Sequence, residues 1–146
     1  MGSVEMTYDT RQCGIATIYA DGLGGDTSRV ELRTLDELVW RGRLGRPDLL
    51  RFDVEGHPLD VLSGASETIA RALPAIAFEV NERAARVAGW TLAEAAELWL
   101  SPAEFSFHLI DEHGARALDP VTFQLEPDER LDPHVDVLAL PTVWRR

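Results

Sequence analysis

From about Pro47 onward the chain alternates short apolar runs with amphipathic stretches, and that alternation most limits how it can fold. It is the pattern of strand–helix–strand units in a parallel sheet. Leu49-Leu50-Arg51-Phe52-Asp53-Val54 predicts a short strand ending in acid and glycine. After Pro58, apolar residues at Leu59, Leu62, Ala65, Ile69 and Leu73 fall on one helical face. Pro58 suits the first turn of that helix, where a missing N–H costs nothing. Ala75-Ile76-Ala77-Phe78-Glu79-Val80 predicts a second strand, and Thr91 with Glu94 makes a capping box for a helix through about Leu100. Residues 105–110 and 115–118, joined by Asp111-Glu112-His113-Gly114, read as a hairpin. Gln124 to His134 reads as a proline- and acid-rich loop, and 135–140 as a last strand stopped by Pro141. Upstream, 29–33 predicts a strand, and Thr34 with Glu37 opens a helix through about Arg43. Residues 1–28 show no clear pattern. The expected class is α/β: parallel strands with helices between them, and antiparallel strands only at the C-terminal end. The expected organisation is a poorly legible segment 1–28 followed by a single domain over 29–146.

Composition narrows the chemistry. The 146 residues carry 25 Asp and Glu against 14 basic residues, a net charge of −11. That argues against nucleic acid and anionic membrane surfaces as partners, since both require a cationic face. All the basic residues are Arg, so lysine Schiff-base and lysine general-base chemistry are excluded. Cys13 is the only cysteine, which removes intrachain disulfides and cysteine-based zinc clusters. No stretch approaches the roughly 18–20 apolar residues needed to span a bilayer. The N-terminus has neither a basic n-region nor an apolar h-region, so the expected location is cytoplasmic. His108 and His113 have no regular metal spacing, and no metal site is expected. The tryptophans Trp40, Trp90, Trp99 and Trp144 read as core and packing residues.

Ligands of open parallel α/β sheets sit beyond the carboxyl ends of the strands. Two strands here end in acids: Asp53 and Glu55 on one, Glu79 followed by Asn81 on the other. If those strands are neighbours, three carboxylates and an amide converge on one rim. Asp53 and Glu55, two apart, would share a face of an extended strand. The alternative is that Asp53 caps the following helix and Glu79 is simply solvated. His57 follows the acids and is either a base facing the crevice or an exposed loop residue.

The string from Asp48 to Ala65, Asp-Leu-Leu-Arg-Phe-Asp-Val-Glu-Gly-His-Pro-Leu-Asp-Val-Leu-Ser-Gly-Ala, resembles the signature of the FkbM family of S-adenosyl-L-methionine-dependent methyltransferases. Members of that family read (K)-I-D-V-E-G-x-E-x-x-V-L-x-G-A. Residues 30–38 look like the family's V-x-V-x-T-L-D-x-L, residues 74–80 like its P-x-I-x-x-E strand, and 136–141 like its closing N-V-L-A-V-P. In order and spacing the resemblance runs from roughly Gly14 to Pro141. It implies a Rossmann-like class I methyltransferase sheet and the cofactor S-adenosyl-L-methionine. The implied reaction is O-methyl transfer to a small-molecule or sugar hydroxyl. Asp53, Glu55 and His57 are then the candidate catalytic residues, and Glu79 and Asn81 the candidate acceptor-binding ones.

The sequence departs from the family at three places. Arg51 stands where the family has Lys, and Pro58 replaces the second Glu of E-G-x-E. Class I methyltransferases also open with a strand, a Gly-rich loop and a helix that hold the cofactor. The one glycine cluster here, Asp21-Gly22-Leu23-Gly24-Gly25-Asp26, precedes strand-like Val30-Glu31-Leu32 rather than a helix, and reads as a polar loop. The chain thus looks like the C-terminal half of the family fold, and its cofactor-binding residues are not identified. The strand 49–54, mid-sheet in the class I fold, then becomes an edge. That edge must be hidden by a homodimer, by residues 15–20, or by a complementary polypeptide. The competing reading is a non-catalytic remnant or interaction module.

Overall fold

The computed structural model describes residues 2–8, 16–18, 25–42, 44–54, 57–81, 85–86, 88–101, 104–123 and 134–145. The chain forms two sheets. The first is antiparallel, with β1 (Gly2–Tyr8) at its centre, flanked by β2 (Ala16–Thr17) and β3 (Asp26–Leu32). Its strands pair Val4 with Val30 and Glu5 with Arg29. This overturns the expectation that antiparallel strands occur only near the C-terminal end. Polar residues alternate poorly with apolar ones here, so the sequence carries little period-2 signal.

The second sheet contains β4 (Leu49–Phe52), β5 (Ala75–Asn81), β6 (Phe105–Asp111), β7 (Gly114–Leu118) and β8 (His134–Pro141). Its order is β4-β5-β8-β6-β7. Only β4 and β5 are parallel; the remaining pairs are antiparallel. The sheet is therefore mixed, with a single strand–helix–strand crossover rather than a run of parallel strands. Among the described residues β4 pairs with β5 alone, so its other side is an edge there. Of residues 15–20, the described Ala16 and Thr17 pair with Tyr8 and Thr7 instead.

Pro58 opens α1 (Pro58–Ser63), but the predicted helix breaks at Gly64–Ala65 and restarts as α2 (Ser66–Ala72). The break has an identifiable cause. Asp36 reaches the new N-terminus, and its carboxylate accepts from the backbone N–H of Thr68 at 2.7 Å and of Glu67 at 2.9 Å. Two orphan donors of α2 are thereby satisfied from thirty residues upstream. The Asp36 N–H donates to the Gly64 carbonyl at 3.0 Å, which completes the clasp. Asp36 itself immediately precedes a short π turn over Glu37–Arg41, and the Glu37 N–H donates to Thr34 Oγ1 at 3.1 Å. The Glu37 carboxylate goes to Arg33 rather than back to Thr34. Hydrogen bonding to Glu31 comes first among the interactions that raise the Arg33 guanidinium pKa above its ordinary value. Gly42 ends the turn, and a Cβ there would collide with the Leu38 carbonyl oxygen.

Helix α2 stops at Leu73, whose left-handed φ of 45° is followed by Pro74. Both features prevent continuation. Helix α3 (Leu92–Leu98) starts with the expected capping box: Glu94 N–H to Thr91 Oγ1 at 3.2 Å, and Thr91 N–H to Glu94 Oε2 at 2.7 Å. The hairpin β6–β7 forms as expected, with Asp111 opposite Gly114. The expected loop 124–133 lies outside the described residues, and His134 already belongs to β8.

One apolar cluster joins the three helices to the second sheet. Leu62, Ala65 and Ile69 meet Ile76, Phe78 and Val80 of β5, with Ala95 and Leu100 beyond them. Phe52 stacks on Phe78 with ring centroids 5.5 Å apart, which fixes β4 against β5. Trp90 is buried and Trp99 packs on the core, while Trp144 is 53% exposed and not a core residue. The Arg71 guanidinium lies 4.0 Å over the Trp40 ring. Among the described residues no helix is long and apolar enough to cross a membrane.

Candidate functional site: an acidic row across three strands

The register of the second sheet decides which polar residues meet. Along β5, Ile76, Phe78 and Val80 enter the core, so Ala77, Glu79 and Asn81 take the opposite face. On β4, Leu50 and Phe52 face the core, and Leu49 and Arg51 the other side, with Asp53 just past the strand's end. Phe52 pairs with Phe78, and Asp53 and Glu79 each follow that last pair by one residue. On its other side Glu79 pairs with Asp136 of β8, and Asn81 pairs with His134. The result is a row of three carboxylates, Asp53, Glu79 and Asp136, with the Asn81–His134 pair one step beyond.

Asp53 is exposed, Glu79 half-buried and Asn81 only 8% exposed. Burial of an amide beside carboxylates suits hydrogen bonding with fixed direction. His57 caps α1 and turns its Nδ1 toward Asp60 Oδ2, 3.3 Å away. Glu55 lies outside the described residues, so the row is built without it. Asp136 and His134 were not singled out from the sequence as site residues. No sequence spacing could find them: they sit more than fifty residues from Glu79 and join it only through strand pairing.

Elsewhere, an open groove between α2 and α3 is lined by Ser66, Ile69, Glu97 and Trp99. It belongs to the helical layer, on the face of the sheet opposite the acids. His108 Nε2 lies 3.2 Å from Ser106 Oγ, and exposed His113 sits beside Glu112 in the hairpin turn. Among the described residues no three His, Cys, Asp or Glu side chains are grouped to hold a metal ion.

The described residues do not form a cradle for S-adenosyl-L-methionine. Gly22 and Gly24 lie outside them, and Gly25 leads into the antiparallel strand β3 rather than into a helix N-terminus. The other described glycines end the π turn (Gly42), lie in coil (Gly45), separate α1 from α2 (Gly64), or occupy turns and strand starts. None of them brings a backbone N–H array to the end of β4 or β5.

A family model described as Methyltransferase FkbM domain matches residues 7–114, well over half of the chain. No curated protein and no solved structure matches it.

Proposed function

Because the chain belongs to the FkbM methyltransferase domain family, we propose that it serves S-adenosyl-L-methionine-dependent methyl transfer to a hydroxyl of a small molecule or sugar. The observation that carries this reading is the Phe52–Phe78 pair at the carboxyl end of β4, which leaves Asp53 and Glu79 each one residue beyond it, where ligands of such sheets bind. Asp53, with Glu55 beyond it, receives the acceptor hydroxyl's proton as the oxygen becomes a nucleophile. Glu79 and Asn81 hold the acceptor's other hydroxyls, and His57 flanks the entrance.

That the described residues form no cofactor cradle favours a second reading, in which the chain binds no cofactor and acts as an interaction module. Calorimetric titration with S-adenosyl-L-methionine and S-adenosylhomocysteine separates the two. Saturable binding with Kd below about a millimolar, or about −4 kcal/mol, supports methyl transfer. A folded chain that gives no heat with either compound supports the module. With an accepted hydroxyl compound in hand, Asp53→Asn is expected to lower turnover about a hundredfold while the melting temperature holds. Full activity in Asp53→Asn would remove it from the reaction.

A further inference from the structure

We infer that the open edge of β4 is the interface for a second copy of this chain. The copies pair antiparallel about a two-fold axis at Phe52, and each adds its Arg51 to the other's acidic row.

The direction of the backbone groups is fixed by one bond. The Ala75 N–H donates to the Asp48 carbonyl at 2.9 Å, so the groups of Asp48, Leu50 and Phe52 point toward β5. By alternation those of Leu49, Arg51 and Asp53 point away from the sheet. Among the described residues no strand pairs on that side, and Leu49 is 59% exposed. An apolar strand edge with free donors and acceptors is a template for another strand.

The side chains select the occupant. Arg51 of β4 and Asp53, just past its end, are exposed, and neither has an ion-pair or side-chain hydrogen-bond partner among the described residues. In an antiparallel pair, keeping the two core faces on one side requires the two-fold axis to pass through a residue. Centred on Arg51, the pairing sets two guanidinium groups against each other. Centred on Asp53, it opposes two carboxylates. Both arrangements are repulsive. Centred on Phe52, it sets Arg51 against the partner's Asp53 twice over. Leu50 then meets the partner's Val54, and the two Phe52 rings abut on the core side. Arg51 and Asp53 are also the residues whose backbone groups face outward, so each of these pairs exchanges both of its backbone hydrogen bonds. Of the pairings centred on residues 51, 52 and 53, only the one on Phe52 sets opposite charges together, and it agrees with backbone phase and apolar face. It brings the partner's Arg51 to the end of the row formed by Asp53, Glu79 and Asp136, in a chain whose net charge is −11.

Pairing needs no cofactor, so its test stands apart from methyl transfer. The readout is mass in solution by sedimentation, with circular dichroism to verify folding. The unaltered chain is expected to be a concentration-dependent dimer. Arg51→Asp and Asp53→Arg should each be monomeric, their Kd raised about tenfold or more by like charges. An equimolar mixture of the two variants should restore a dimer, because every cross-strand pair is then again of opposite sign. Amide hydrogen exchange supplies a check that needs no variant: the Arg51 and Asp53 amides should be protected at high concentration and lose protection on dilution. A monomeric unaltered chain overturns the proposal, as does a dimer that survives either single variant, or a mixture that stays monomeric. Protection of those amides that is independent of concentration also overturns it, since a segment of the same chain then covers the edge.

Discussion

In the second sheet, Ile76, Phe78, Phe105, Phe107, Val137 and Ala139 turn one continuous apolar face toward the helices, and all are buried. In the first sheet, β1 and β3 pair over seven residues each, yet neither contains a buried side chain. The backbone ladders are equally regular. What differs is whether the pairing also removes apolar surface from water, which is the larger favourable contribution to folding. The first sheet has backbone bonds and cross-strand pairs such as Glu5–Arg29 and Val4–Val30, each worth only about 0.2–1 kcal/mol. The second has a core.

The widest gap between the two should appear on deleting the central aromatic ring. Phe78→Ala removes the stack with Phe52 and opens a cavity between sheet and helices, so a loss of about 3–5 kcal/mol in urea unfolding is expected. A loss under about 1 kcal/mol would mean that the cluster around Phe78 is not the core. Next in size is Asp36→Ala. It strips the cap from α2 and leaves the Glu67 and Thr68 N–H groups unpaired, at a cost of about 1–2 kcal/mol by the same measurement. Asp36→Asn keeps an acceptor oxygen and should recover part of that cost. Val30→Ala, the smallest change, replaces half of a half-buried pair and should cost only about 0.5 kcal/mol. If Val30→Ala instead destabilises the whole chain as Phe78→Ala does, the first sheet is folded together with the core and the contrast fails. Hydrogen exchange sharpens the same point, with β1 and β3 amides expected to exchange well before those of β5 and β8.

What the sequence made legible follows the same division. The strands β4, β5, β6 and β8 were readable because burial demands apolar residues there, and apolar runs can be seen without coordinates. The Thr91–Glu94 capping box was readable because both of its partners lie within one turn. The first sheet was only partly legible, through residues 29–33, because strands such as Asp26–Leu32 carry Thr27, Ser28, Arg29 and Glu31, with little alternation to reveal them. The break between α1 and α2 was hidden for a different reason. The apolar spacing of Leu62, Ala65 and Ile69 continues unbroken through it, and its cause, Asp36, lies in another segment. The candidate site divides likewise. Asp53, Glu79 and Asn81 were visible as strand-end polar residues, whereas Asp136 and His134 joined the site only once β8 was seen to pair with β5.

The order β4-β5-β8-β6-β7 also has a consequence for synthesis. Strand β8, the last of the sheet to leave the ribosome, occupies its middle, hydrogen-bonded to β5 on one side and β6 on the other. Until His134–Pro141 has emerged, the nascent chain holds two half-sheets, β4–β5 and β6–β7, whose apolar inner edges have no partner. Such edges invite wrong pairing with neighbouring chains. Translation that stalls before residue 134 should therefore yield an aggregating product rather than a shorter folded one, and a chaperone that shields strand edges would be needed most during those last codons.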